Sequence, residues 1–289
     1  MDLEIRAISN KHNIKMAIID ISEALNEIIQ LQQTNQLATI ALSRTIIANA
    51  LISLSLKGGS KMTTNINGGG PIKTIIAEFQ NNSVRGYVEN PKFEINDTST
   101  ETKASLLARA VGLDGFLQVS KYDKEDLLNS YTSRVKLVSG EVNFDFMYYL
   151  QHSDQIISLI TTAVELNENN SIKKACGIII QLLPGFSDEN IDFIEEKIGS
   201  LEYLKETLLK TTNYTALLED IAEDAKVLGT SPIKFSCTCN EIKVLSSIKT
   251  LGNKELLKIV NKSEALEVVC DFCKKRYDIK PKKIKEIID

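Results

Sequence analysis

Four of the five cysteines in this 289-residue chain fall into two tight pairs near the C-terminus: Cys237 with Cys239 in "CTC", and Cys270 with Cys273 in "CDFC". Thirty residues separate the pairs. Four thiolates spaced in this way suit one tetrahedral Zn²⁺, and a site filled by four sulfurs leaves no position for a substrate water. The metal would therefore be structural rather than catalytic. The first twenty residues scatter charge where a secretory signal needs an apolar run. Metal ligation in a cytoplasmic protein is accordingly expected ahead of a disulfide framework. The chain has only two histidines, His12 and His152, which excludes chemistry built on several imidazoles. Cys176 has no second thiol nearby in sequence and reads as a small buried side chain.

Neighbouring thiolates carry a second chemistry. Oxidation of one gives a sulfenic acid, and its neighbour condenses with it to a disulfide. Residues two or three apart lie within the Cα separation that such a bond accepts, and each bond removes two anionic ligands from a metal. A C-terminal segment of roughly 55 residues has a thin core and is of the size that often needs a metal to fold. Structural zinc supplies ~10–16 kcal/mol, against ~5–15 kcal/mol for the stability of a whole domain. The spacing alone leaves three roles open: a static scaffold, a nucleic-acid-binding zinc ribbon, and a redox trigger.

The elements that must position these groups follow from the rest of the chain. "NIKMAIIDIS" reads as a strand and "ATIALSRTIIANALISLSLKGG" as a long helix ended by Gly58 and Gly59. Strands follow at 62–67, 72–79 and 84–88, with "GGGP" and "NNS" as their turns. More strands are expected in "GFLQVSKY", "SYTSRVKLV", "ISLITTAVELN" and "CGIIIQLLP", interrupted by a helix around "EVNFDFMYYLQ". This pattern predicts an α+β fold, with a mixed core domain over residues 1–185. The apolar stretch 37–56 carries Arg44, Asn49 and several hydroxyls, so a buried helix is expected rather than a membrane span. "GGGP" joins two strands and precedes no helix, which favours a hairpin turn over a phosphate cradle.

From Ser187 the pattern changes. Ser187 is expected to cap a helix with Asp188 and Glu189 in its first turn. Ile191, Ile194, Ile198, Leu201, Leu204 and Leu208 recur at steps of three and four, forming one apolar stripe. A second amphipathic helix is read through Leu217, Leu218, Ile221, Ala225 and Leu228, stopping at Gly229. Residues 186–229 hold 11 acids against 4 lysines, a formal charge of −7, whereas 234–289 hold 13 basic residues against 8 acidic, or +5. The segment 186–232 is thus expected to be a helical linker that docks on a basic zinc-binding module over 233–289. Within that module "NEIKVLSSIKTLG" and "NKELLKIVNK" read as helices, and "EALEVVC" and "KRYDIK" as strands flanking the Cys270–Cys273 turn. Pro281 opens a last helix. The basic run "KKRYDIKPKKIK" is taken as a solvated face beside an anionic metal centre. With a net charge of −4 overall, no nucleic-acid partner is expected. A thiol–disulfide oxidoreductase would need a βαβ context that surrounds neither pair.

These segments together resemble a known family. "INGGGPIKTIIAEFQNNSVRGYVENP", "YTSRVKLVSGEVNFDFMYYLQHSDQI", "GIIIQLLPG" and the widely spaced "CTC…CDFCKKRYDI" are similar to segments of the bacterial 33 kDa chaperonins, the redox-regulated heat-shock protein 33 family. Two departures stand out. "NEIK" follows the C-x-C pair where the family carries serine and arginine-rich residues, and Ser153-Asp154-Gln155 stands for a serine–glutamate–glutamine motif. The resemblance implies a holdase chaperone that is not an enzyme and uses no ATP. Its reduced, inactive form would hold one Zn²⁺ through Cys237, Cys239, Cys270 and Cys273. Oxidation would pair Cys237 with Cys239 and Cys270 with Cys273, release the metal, loosen module and linker, and yield a homodimer that binds unfolding client proteins. Ile191, Ile194, Ile198, Leu201 and Leu204 are the candidate client or docking surface. The alternative from another class is a static zinc-ribbon protein that binds nucleic acid through its basic module.

Overall fold

The computed structural model describes residues 2–95, 102–124, 130–262 and 264–288. The chain divides into two units, Met1–Phe235 and Ser236–Asp289.

In the first unit, β1 (Leu3–Ser9) and β2 (Ile14–Asp20) form a hairpin, followed by α1 (Ser22–Gln32) and α2 (Gln36–Ser53). Strands β3 (Lys61–Asn67), β4 (Thr74–Gln80) and β5 (Ser83–Val88) meander, and α3 (Lys103–Val111) leads to β6 (Phe116–Tyr122) and β7 (Ser130–Lys136). Helix α4 (Asn143–Tyr149) runs into a π-helical turn at Leu150–Asp154 before the long pair β8 (Ser158–Leu166) and β9 (Ile172–Leu182). Then come α5 (Asp188–Ile198), α6 (Leu201–Lys210), α7 (Tyr214–Ile221), β10 (Lys226–Pro232) and the short β11 (Lys234–Phe235). Two sheets result, in the orders β10-β1-β2-β9-β8 and β11-β5-β4-β3-β6-β7.

Helix α2 lies against strands of both sheets, and 14 of its 18 residues are buried. It has no polar face because water meets almost none of it. The stretch long and apolar enough to cross a membrane is therefore the core helix, as expected. Two of its hydroxyls bond back to the helix: Thr45 donates to the Ala41 carbonyl at 2.8 Å and Ser53 to that of Asn49 at 2.6 Å, while Thr64 of β3 donates to the Asn49 side chain at 2.8 Å. Two glycines let the helix come close. A Cβ on Gly86 of β5 would lie 2.7 Å from Ile46, and one on Gly177 of β9 2.5 Å from Ile47. The alternating burial of β3, β4 and β5 matches the sequence expectation, with "GGGP" in the β3–β4 hairpin connection.

The opposite face of the five-stranded sheet is covered by residues 186–222. Ile198, Leu204, Leu208, Leu217, Leu218 and Ile221 join Ile5, Met16, Ile18, Cys176 and Ile178 in a second apolar cluster. Three expectations are corrected here. The stripe after Ser187 is two helices, because Gly199 takes φ +66° as the end of α5 and Ser200 caps α6, accepting from the Tyr203 amide at 3.1 Å. The second amphipathic helix ends at Ile221, and Lys226–Pro232 is a strand paired antiparallel with β1. Val227, Leu228 and Thr230 suit an extended chain, and β1 offers them a free edge. β1, α1 and α3 themselves are elements that the sequence reading did not identify.

The second unit has the four expected elements and the last helix. α8 (Glu241–Lys249) and α9 (Asn253–Asn261) precede β12 (Leu266–Val269) and β13 (Arg276–Ile279), which pair antiparallel, and α10 (Pro281–Lys285) opens on Pro281. Its core is Val244, Ile248, Leu256, Val260, Ile279 and Ile284.

Candidate metal centre

The two cysteine pairs are presented by different backbone devices. Cys237 and Cys239 lie in the irregular stretch between β11 and α8. That stretch ends where the Asn240 side chain caps α8, accepting from the Lys243 amide at 2.9 Å. Lys243 folds back and donates from Nζ to the Thr238 carbonyl at 2.9 Å and its hydroxyl at 2.8 Å, bracing the chain between the cysteines. Cys270 and Cys273 occupy the β12–β13 turn, closed by Lys274 N–H to the Cys270 carbonyl at 2.8 Å and Cys270 N–H to the Lys275 carbonyl at 2.9 Å. Lys274 takes φ +57° to make that return. The amides of Cys273 and Phe272 donate to the Cys270 sulfur, and the Lys275 amide donates to the Cys273 sulfur.

All four sulfurs lie within 4.8 Å of one another. The contacts cross between the motifs: Cys237 to Cys270 at 3.8 Å and Cys239 to Cys273 at 3.3 Å. A tetrahedron with ~2.3 Å zinc–sulfur bonds has edges of about 3.8 Å, so the donor set, its number and its spacing fit a zinc ion. None of the five cysteines is in a disulfide.

Electrostatics make the same point. Burial works against a thiolate at Cys239, but hydrogen bonds from Tyr277 and the neighbouring sulfurs outweigh it and bring Cys239 down to about 7. Cys273 is pushed up to about 12, by burial first and then by its hydrogen bonds to the other cysteines, and Cys270 is raised, chiefly by burial. Four sulfurs in one place cannot all be anionic without a cation among them. A divalent metal removes that conflict.

The sequence reading missed Tyr277. Its hydroxyl donates to the Cys239 sulfur at 3.1 Å, and the signal available was a tyrosine on the strand immediately after the C-x-x-C turn. Cys176 lies within β9, fully buried, with burial pushing its thiol up to about 12, as a core side chain should. His152 is exposed and stacks on Tyr148 at 3.8 Å. Of the candidate surface residues, Ile198 and Leu204 are buried, and Ile191, Ile194 and Leu201 are half-buried.

A sequence model of the Hsp33 protein family matches residues 2–280. The chain belongs to the Hsp33 family. It is similar to the 33 kDa chaperonin of Bacillus velezensis, 34% identical over 291 residues with 100% of this chain and 99% of that one covered. Against the 33 kDa chaperonin of Bacillus subtilis it is also 34% identical, with 96% and 94% covered. The fold is similar to the crystal structure of the 33 kDa chaperonin, a heat shock protein 33 homolog, from Thermotoga maritima, with a TM-score of 0.85 at 29% identity over 99% of this chain and 97% of that chain. The α+β reading and the family resemblance both stand. Membership of the Hsp33 family supports a chaperone function, which implies the binding of client proteins, for this chain.

Proposed function

We propose that this protein is a zinc-dependent, oxidation-activated holdase of the cytoplasm, not an enzyme, which binds unfolding proteins without ATP. The observation that carries this is the gathering of four cysteine sulfurs within 4.8 Å in a small unit of its own. In the reduced state Cys237, Cys239, Cys270 and Cys273 hold one Zn²⁺, which when bound neutralises their charge and cross-links the two ends of the α8–α9 excursion. Six buried apolar side chains among the described residues are a modest core for the unit, so loss of that cross-link unfolds it. Oxidation joins Cys237 to Cys239 and Cys270 to Cys273 and takes the ligands away.

In functional terms residues 1–185 form the chaperone core, 186–232 the linker and 233–289 the redox switch. The candidate surface of Ile191, Ile194, Ile198, Leu201 and Leu204 is then uncovered by departure of α5 and α6 from the sheet. A weakness under α6 supports this. Leu201, Glu202, Lys205 and Leu209 line a cleft of about 600 Å³ with Arg44, whose Nε has no hydrogen-bond partner among the described residues. Once exposed, the same apolar surface drives homodimerisation.

The test is to treat the reduced, zinc-loaded protein with peroxide while warming it, following zinc release and suppression of client aggregation together. Holdase activity rising in step with zinc loss is expected. Zinc loss without that activity sinks the proposal, and salt-dependent binding of DNA or RNA by the reduced protein would point to the static zinc ribbon instead.

A further inference from the structure

Resting on the zinc-holding role proposed above, we propose that the Tyr277 hydroxyl restrains the Cys239 sulfur, setting how tightly the C-x-C half of the centre keeps a metal and how fast it is oxidised. The two halves are supplied with hydrogen bonds in different ways. The "CDFC" turn folds back at once, so consecutive amides point inward: those of Phe272 and Cys273 reach the Cys270 sulfur, and that of Lys275 reaches Cys273. A tight turn provides this by its geometry. "CTC" is not such a turn, and its middle residue accepts from Lys243 through its carbonyl and hydroxyl. Cys239 instead receives a side-chain donor from β13, Tyr277 at 3.1 Å.

That donor is held in place. Tyr277 stands opposite Val268 in the β12–β13 pair, its ring packs against the module core, and Lys275 Nζ lies 5.2 Å from the ring centroid. A ring fixed on three sides aims its hydroxyl without further ordering cost. Partners of metal ligands typically change metal affinity ~10–100-fold when removed. Here the hydroxyl also draws electron density from sulfur, which lowers its nucleophilicity.

The oxidant is a hydroperoxide. Sulfur attacks the distal peroxide oxygen; an S–O bond forms as the O–O bond breaks. With hydrogen peroxide, one proton carries the leaving oxygen off as water and a sulfenic acid remains. The second thiolate of the pair then displaces the sulfenic oxygen, which leaves with a further proton as water. Two electrons pass from two sulfurs to one peroxide, and a disulfide remains. A hydrogen bond to Cys239 opposes the first of these steps.

The decisive variant is Tyr277→Phe in the full chain, which keeps the ring and deletes the hydroxyl, with Tyr277→Leu as a variant that deletes the ring. Three readouts apply: zinc affinity by competition with a chromophoric chelator, the rate of peroxide-driven zinc release, and mass-spectrometric mapping of which cysteines resist alkylation first. For Tyr277→Phe, affinity about 10-fold weaker, faster release, and earlier loss of the Cys237 and Cys239 thiols relative to Cys270 and Cys273 are expected. Cobalt-loaded protein adds a signature that packing would not move, a shift of the sulfur-to-cobalt charge-transfer band to lower energy. A Tyr277→Phe protein with unchanged affinity, rate and order of oxidation overturns the inference, and does so more plainly if Tyr277→Leu alone is impaired, since Tyr277 is then packing only. Failure of the wild-type protein to bind or release zinc would instead overturn the function on which this rests.

Discussion

If the cysteine module folds only when its sulfurs are bridged by a metal, a core substitution that touches no ligand should appear as a loss of metal affinity. Leu256 is the residue for this test. It is fully buried in α9, packs with Val244, Ile248, Val260, Ile279 and Ile284, and ligates nothing. Leucine-to-alanine changes at such sites cost ~2–5 kcal/mol, with the lower values where neighbours can relax into the space. A unit whose core is six buried apolar side chains among the described residues relaxes readily, so about 2–3 kcal/mol is the fitting range. Where the metal-free module is unfolded, metal binding and folding are a single step, and the whole cost falls on the binding constant. At 1.4 kcal/mol per tenfold, that weakens zinc binding about 30–140-fold. The assay is competition for zinc against a chelator of known affinity, with amide exchange over 236–288 followed in parallel. Leu256→Ala with unchanged zinc affinity would refute the reasoning, because the apo module would then be folded already and sulfur oxidation could not melt it.

Three further outcomes follow from the first unit. Asp145 is buried and accepts from the Val138, Ser139 and Val142 amides at 2.7, 2.9 and 3.1 Å, and from the Ser139 hydroxyl at 2.9 Å. Asp145→Ala strands those donors at a cost of about 3 kcal/mol, which should lower the melting temperature of that unit by about 6–12 °C; a change under 2 °C would contradict this. Glu223 is held down to about 2 by the Lys11 hydrogen bond, its local backbone and His12. Its contribution is therefore complete above the ordinary carboxylate range and disappears as pH falls through 4.5 toward 2. The urea midpoint of wild type minus that of Glu223→Gln should be constant above pH 5 and shrink to nothing below pH 2, whereas a difference independent of pH would be inconsistent. Cys176 is fully buried in β9, so protein stripped of metal at pH 8 should be alkylated at the four module cysteines while Cys176 reacts only on unfolding. Equal labelling of all five would show that β9 opens readily.

The candidate site was legible because its signal is local. Two cysteine pairs and a turn between strands name a metal-binding module without knowledge of its surroundings, and Pro281 marked its last helix correctly. The meander β3–β5 was equally plain, since each strand alternates and each turn carries glycine or asparagine. What failed to show was whatever a distant partner decides. β1 alternates too, as Leu3-Glu4-Ile5-Arg6-Ala7, but Glu4 does not face solvent: it is buried and pairs with Arg6 at 3.2 Å once both are in the sheet. Residues 226–232 have no strand partner nearby in sequence; the partner is β1, more than two hundred residues away. The apolar steps from Ile191 to Leu208 continue across Gly199 as if no break existed, because both helices bury their stripes on the same cluster. Tyr277 looked like an ordinary strand residue because a hydroxyl-to-sulfur contact depends on the third dimension.

The strand that closes the five-stranded sheet is also the point where the first unit could be pulled apart. Leu3 sits opposite Pro232, so β10 meets the start of β1 at its own exit end, and the chain then crosses to the other sheet through the two residues of β11. A load on the chain beyond Phe235 reaches that two-residue contact first and then the Leu3–Pro232 rung. From there the rungs part in succession, like a zip, instead of sharing the strain. Stretching a single molecule by its C-terminus should show a small early extension from these ten residues before the body of the sheet gives way.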